Sequence, residues 1–271
     1  MEFNKGRQNF LREINQLDEQ INVAKAALYF AQIEDPEIDP EVYLNSLQKI
    51  AEEIEQRLPE TRYPLKTIQI INQYLFEKLG FSGNSRDYYD PRNSFLNQVI
   101  ERRTGIPISL SVVYLEIAQR LNFPMVGIAM PGHFLIRPIF EDGEIFVDPF
   151  NQGEVMFPAD CEERLRQVYQ QEVKLQPQFF EPVSKRQILA RMLTNLKFIY
   201  VNSEQLLKAL GMVELVLLLF PDNPQEIRDR GLLYYELGEW KLASQDLQTY
   251  LKIFPNAPDA GMVRQLLQKL Q

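Results

Sequence analysis

Two residues in this chain have the types needed for general-base chemistry, His133 and Asp148. An imidazole can take the proton of a nucleophile, and a carboxylate behind it fixes the tautomer and stabilises the charged ring. His133 sits between Gly132 and Phe134 after a short apolar run, and Asp148 closes a second run in Val147-Asp148-Pro149. The third partner is missing: no cysteine lies near either residue in sequence, and the chain's one cysteine is Cys161. Cys161 follows Pro158 at a predicted helix start among Asp160, Glu162 and Glu163, acids that raise a thiol pKa, so it reads as an inert, partly buried thiol. Because His133 is the only histidine, metal sites needing two imidazoles are excluded, as is a four-ligand zinc site with one cysteine. No metal or cofactor is expected.

The dyad needs elements to hold it. Gly105-Ile106-Pro107 opens a segment, Ile108 to Leu121, that is helical in period but apolar on most sides, the pattern of a helix central to a domain. Ser109 and Ser111 lie within its first turn. After Pro124 the pattern becomes strand-like over Met125 to Met130, Phe134 to Ile139 and Glu144 to Val147, with Asp142-Gly143 as a two-residue hairpin turn. Such a turn pairs Glu141 with Glu144 and puts His133 and Asp148 on one face. It also sets Asp148 opposite Arg137, four residues or roughly 13 Å from His133, so contact requires a longer loop or a bulge, for which Pro138 is the candidate.

Upstream, residues 8–35, 40–58 and 64–79 read as helices, the second capped by Asp39-Pro40. Ser82 to Asp87 is turn chemistry, and Asn93 and Ser94 are placed to N-cap a short helix containing Phe95, Leu96, Val99 and Ile100. Glu52, Glu53 and Glu55 form a solvated helix face. Residues 158–172 are predicted helical, and Gln176 to Pro182 reads as a linker. Beyond it, Tyr200 and Tyr234, Ala209 and Ala243, Phe220 and Phe254, Pro221 and Pro255, and Pro224 and Pro258 each recur at an offset of 34 residues. That period, with aromatic, small and proline positions in this order, is the tetratricopeptide signature. Two copies and a last helix, about 259–270, make a short array, with Trp240 packed between its helices.

A 271-residue chain with 45% hydrophobic residues supports two domains, divided here as 1–182 and 183–271. The net charge of −8 and the scattered basic residues offer no stripe for a phosphate backbone, so nucleic acid is not an expected partner. No uncharged run is long enough to cross a bilayer and the N-terminus lacks an apolar leader. With a single cysteine, the expected location is the cytoplasm.

Gly-x-Pro before the long apolar helix, then Pro-Gly-His-Phe-Leu and Val-Asp-Pro-Phe-Asn, resembles the transglutaminase-like core, specifically its SirB-type branch, over about residues 40 to 180. The resemblance implies an α+β, papain/transglutaminase-like fold with a helical N-terminal part and a small antiparallel sheet, followed by an α-helical tetratricopeptide-like array. It aligns His133 and Asp148 with the family's His and Asp, and Pro107 with its nucleophilic cysteine. Proline offers no nucleophile. The expectation is a non-catalytic scaffold or regulatory partner whose remnant cleft, with Pro107, Ser109, Asn93, Gly132 and Phe134 around the dyad, holds another protein or peptide. The competing expectation is an amide hydrolase or acyl transferase that uses the dyad with an unconventional nucleophile such as Ser109 or an activated water.

Overall fold

A computed structural model describes residues 5–140, 145–169 and 176–270. The chain divides into two compact units, the first ending at Ile188 and the second beginning at Leu189.

The first unit starts with α1 (Lys5–Ile14) and α2 (Val23–Glu34). Residues 8–35 are therefore two helices rather than one. The break is made by Asn22, which accepts from Lys25 N at 2.7 Å as the N-cap of α2 and points its amide nitrogen at Glu116, 3.1 Å away. Next come α3 (Pro40–Glu55), capped by Asp39, and α4 (Pro64–Asn72), which runs into a π-helical turn over Gln73–Lys78. The wider turn presents Tyr74 to Glu53 on α3, and Glu53 also takes Lys78 at 3.1 Å. A two-residue parallel pair, β1 (Ser82–Gly83) with β2 (Thr104–Gly105), flanks α5 (Leu96–Arg102).

Helix α6 (Pro107–Arg120) follows β2 at once and is buried on nearly every side. Its residues pack against α2, α3 and α5 on one side and against strands on the other. Those strands form an antiparallel sheet in sequence order: β3 (Met125–Ile128), β4 (Leu135–Pro138), β5 (Phe146–Asp148) and β6 (Glu154–Met156). Strand alternation gives the sheet two apolar faces. One face carries Ile128, Leu135, Phe146 and Met156 against Cys161 and Leu165 of α7 (Pro158–Tyr169). At roughly 25 cal/mol per Å² of apolar surface removed from water, such wholly buried side chains are what hold the sheet to its helices.

Helix α8 (Lys185–Asn202) crosses from the first unit into the second, which continues with α9 (Leu206–Leu219), α10 (Pro224–Glu236), α11 (Trp240–Ile253) and α12 (Ala260–Lys269). The repeat seen in the sequence is also a repeat of backbone. The N-caps Gln205 and Glu239 have φ, ψ of −86°, 62° and −84°, 62°, and the C-caps Phe220 and Phe254 have −138°, 79° and −132°, 68°. Gln205 N bonds Tyr200 O and Glu239 N bonds Tyr234 O, each at 2.9 Å. Ala209 and Ala243 are both wholly buried, where only a small side chain lets neighbouring helices approach. Trp240 is not packed between helices: it is 54% exposed, edge-on to Tyr235 at 5.4 Å, because it is the first residue of α11 and lies outside the helix contact. None of the described helices is long and apolar enough to cross a membrane.

Candidate functional site

His133 is not on a strand. It follows the turn Met130-Pro131-Gly132, in which Gly132 takes φ 73°, a left-handed value that a side chain would strain, and His133 N closes on Met130 O at 3.0 Å. Asp148 ends β5. The observed register pairs Ile136 with Val147, which sets Leu135, not Arg137, opposite Asp148. His133 is then two residues from that point, roughly 7 Å along a strand instead of 13 Å, and the turn covers the remainder. His133 Nε2 lies 2.7 Å from Asp148 Oδ2. The Asp142-Gly143 turn falls outside the described residues.

Asp148 is wholly buried and carries several donors at once. Its Oδ1 accepts the backbone N–H groups of Phe150 (3.1 Å) and Asn151 (3.3 Å), capping the 3-10 turn Pro149–Asn151, while Oδ2 takes the Asn151 amide at 2.7 Å as well as the imidazole. Arg164 of α7 stands 3.5 Å from Oδ2 and is itself tied to Glu154 at 2.7 Å. Burial pushes the carboxyl pKa up, but the His133 hydrogen bond and charge, the Asn151 amide and Arg164 together outweigh it and hold the group below the usual carboxylate range. An ionised carboxylate only accepts, so Nε2 carries the proton that it donates to Asp148. Capping the turn and orienting the imidazole are thus one role, done by two oxygens of one side chain.

The ring of Phe150 connects this dyad to the start of α6. It meets His133 edge-on at 6.1 Å and Tyr88 at 6.1 Å, and it presses so closely on Gly83 that a Cβ there would lie 2.6 Å from Phe150 Cδ2. Gly83 pairs with Gly105 of β2, two residues ahead of Pro107. Pro107 is the first residue of α6 and is buried. Its fixed φ suits a helix start, and its missing N–H is one that a first turn leaves unpaired anyway.

Ser109 is wholly buried, and its hydroxyl is engaged: it donates to Asn93 O at 2.6 Å and accepts from Ile106 N at 3.1 Å. Ser111 Oγ is buried without a partner among the described residues. Asn93 does not cap α5, whose N-cap is Phe95 with no side-chain bond. Its amide instead ties the preceding loop, donating to Asp87 O at 2.7 Å and Tyr88 O at 3.3 Å and accepting from Asn84 at 3.2 Å and Arg102 at 3.4 Å. Ser94 Oγ has no partner among the described residues, so it caps nothing either. Phe134 is buried in the core, near enough to Gly127 that a Cβ there would lie 2.7 Å from its ring. Cys161 is completely rather than partly buried, and burial, then Asp160, push its thiol up to about 12.

Reading residues alone passes over Arg164, Phe150 and Asp90. Asp90 caps the 3-10 turn Pro91–Asn93 and pairs with Arg92 (2.8 Å) and Arg102 (3.4 Å). Of these, only Phe150 sits in a motif that singles it out, the Asp-Pro-Phe-Asn run. Among the described residues, no cluster of three or more His, Cys, Asp or Glu side chains is placed to hold a metal ion.

Residues 41–194 match the transglutaminase-like superfamily, and residues 196–268 match the tetratricopeptide repeat. The chain belongs to the transglutaminase-like superfamily. Among similar proteins, a UPF0162 protein of Xylella fastidiosa (strain 9a5c) is 41% identical over 251 residues, covering 91% of this chain and 89% of the relative. A UPF0162 protein of Vibrio cholerae is 34% identical over 84% of this chain and 86% of its own length. Human F-box only protein 21 is 32% identical over 190 residues, 65% of this chain but 29% of that protein. The transglutaminase-like match covers the dyad, α6 and the sheet, and ends within α8, just ahead of the repeats.

Proposed function

We propose that this transglutaminase-like protein is non-catalytic and acts as a protein-binding scaffold or regulatory partner. The cleft around Pro107, His133 and Asp148 holds a peptide or side chain without cleaving it, and the repeat array supplies a second protein-binding surface. The observation that carries this reading is Pro107 at the first position of α6. A helix N-terminus lowers the pKa of a thiol placed there, and a proline at that point has no atom able to attack a carbonyl. Ser109 does not replace it well, since its one proton already goes to Asn93 O inside the core.

The intact 2.7 Å contact between His133 and an ionised Asp148 favours a second reading, an amide hydrolase or acyl transferase in which the imidazole activates water. The two separate in one set of assays. Purified protein is tested against amide and ester substrates alongside His133→Ala, with no turnover expected from either; turnover that disappears in His133→Ala overturns the scaffold reading. Pro107→Cys is then alkylated. Cys161 is buried with its thiol at about 12, so the background is low, and the new thiol is expected to react at least tenfold faster at pH 7 than in the double variant Pro107→Cys/His133→Ala. Equal rates would mean that the imidazole does not serve position 107.

A further inference from the structure

An unassigned hollow of the first unit lies along the other half of α6. Pro107 opens that helix, whereas the cleft is lined by its residues Val112, Leu115, Glu116 and Gln119, up to roughly 18 Å further along at 1.5 Å per residue. Its volume is about 470 Å³, within the range of small-molecule sites. Phe123 ahead of β3, Met125 and Val126 on β3 and Ile188 from α8 make the remaining wall mostly apolar.

Two charged side chains reach this cleft, and their charges are not equivalent. Glu116 is spent: its carboxylate takes Arg120 at 2.7 and 2.8 Å and the Asn22 amide at 3.1 Å. Among the described residues, Lys185 is the only cation in the lining. Its Nζ donates to two neutral acceptors, Glu19 O at 2.8 Å and Ile21 O at 2.7 Å, and no carboxylate pairs with it among the described residues. The two carbonyls fix the ammonium in place without neutralising it, and its third hydrogen is left for another acceptor. The carboxylate beside it, Asp18, accepts the backbone N–H groups of Lys185 (2.9 Å) and Arg186 (3.1 Å) and pairs with the Arg186 guanidinium at 3.9 Å, not with the ammonium. An apolar hollow with one anchored cation at its edge is complementary to a molecule that pairs an apolar body with one negative head.

We infer that this cleft binds a small amphipathic monocarboxylate, its hydrocarbon part lying along α6 and its carboxylate accepting from Lys185. The site is independent of the dyad and of any reading of it.

The test uses the full chain and decanoate as probe, followed by titration calorimetry, with decanol and decyltrimethylammonium as controls for the head group. Saturable binding of one decanoate is expected, with decanol at least tenfold weaker and the cationic amphiphile not binding. Lys185→Gln is expected to weaken decanoate at least tenfold and Lys185→Arg to restore it, which separates loss of charge from disturbance of the turn at Glu19–Ile21. Gln119→Trp changes an exposed position of α6, so it should fold as the parent does while its indole fills the cleft and abolishes binding. The inference is overturned if decanoate fails to saturate, if decanol binds as tightly, or if either Lys185→Gln or a folded Gln119→Trp leaves the affinity unchanged.

Discussion

At the scale of single residues, Asp148 does the most. Its carboxylate caps a turn, receives the imidazole and faces Arg164 from a site closed to water, so its ionised form is worth more in the folded protein than in the unfolded chain. A carboxyl held below its unfolded pKa, about 3.9, stabilises the fold fully above that value and loses the contribution as pH falls through the folded value. Asp148→Asn is therefore expected to cost about 2 kcal/mol at pH 7, the scale of a charge-assisted hydrogen bond, and progressively less on acidification below pH 4. Denaturant titrations of both proteins between pH 2.5 and 7 check this; a penalty independent of pH would show that the carboxyl is not shifted. His133 and Asp148 could be found from residue type alone. Their contact could not, because it depends on the pairing of Ile136 with Val147 and on a turn at Gly132 that puts the histidine before the strand instead of on it.

At the scale of elements, the same backbone turn occurs twice with different residues. Glu204 and Gly238, one repeat apart, both take left-handed conformations, φ 58° and 77°. For a residue with a Cβ that conformation costs about 1–2 kcal/mol, while glycine instead loses more chain entropy on folding. Glu204→Gly is expected to stabilise the chain by roughly 0.5 kcal/mol, and Gly238→Ala to destabilise it by about 1 kcal/mol, measured as opposite shifts in urea midpoint. The repeat was legible because each landmark has a fixed mechanical post: Ala209 and Ala243 at helix contacts, Phe220 and Phe254 as caps, Pro224 opening α10. The central helix was legible for the same reason, since burial on all sides leaves an apolar stretch with helical punctuation. Strand β6 was not, because three residues, Glu154–Met156, are too few to display alternation. The helical run from 8 to 35 misled because nothing in its composition marks Asn22 as a cap until Glu116, far away in sequence, is found holding it.

At the scale of the whole molecule, both units bury apolar cores. The first is built on apolar layers around α6. The second adds a charged ladder: Lys197 of α8 binds Glu226 at 2.7 Å and Asp229 at 2.8 Å on α10, and Arg228 joins Asp229 to Asp259 ahead of α12. The Lys197 and Glu226 side chains are only 12% and 7% exposed. Lys197→Met would leave the buried Glu226 without its cation while Asp229 keeps Arg228, and is expected to cost roughly 3 kcal/mol, read as a lower thermal midpoint. A loss under 0.5 kcal/mol would mean that solvent already screens the ladder. The chain's only indole, Trp240, stands in that second unit, half open to solvent beside Tyr235. Fluorescence excited at the red edge of absorption therefore follows melting of the array alone, whereas circular dichroism sums the whole chain. One sample, observed through two optical windows, tells which half gives way first.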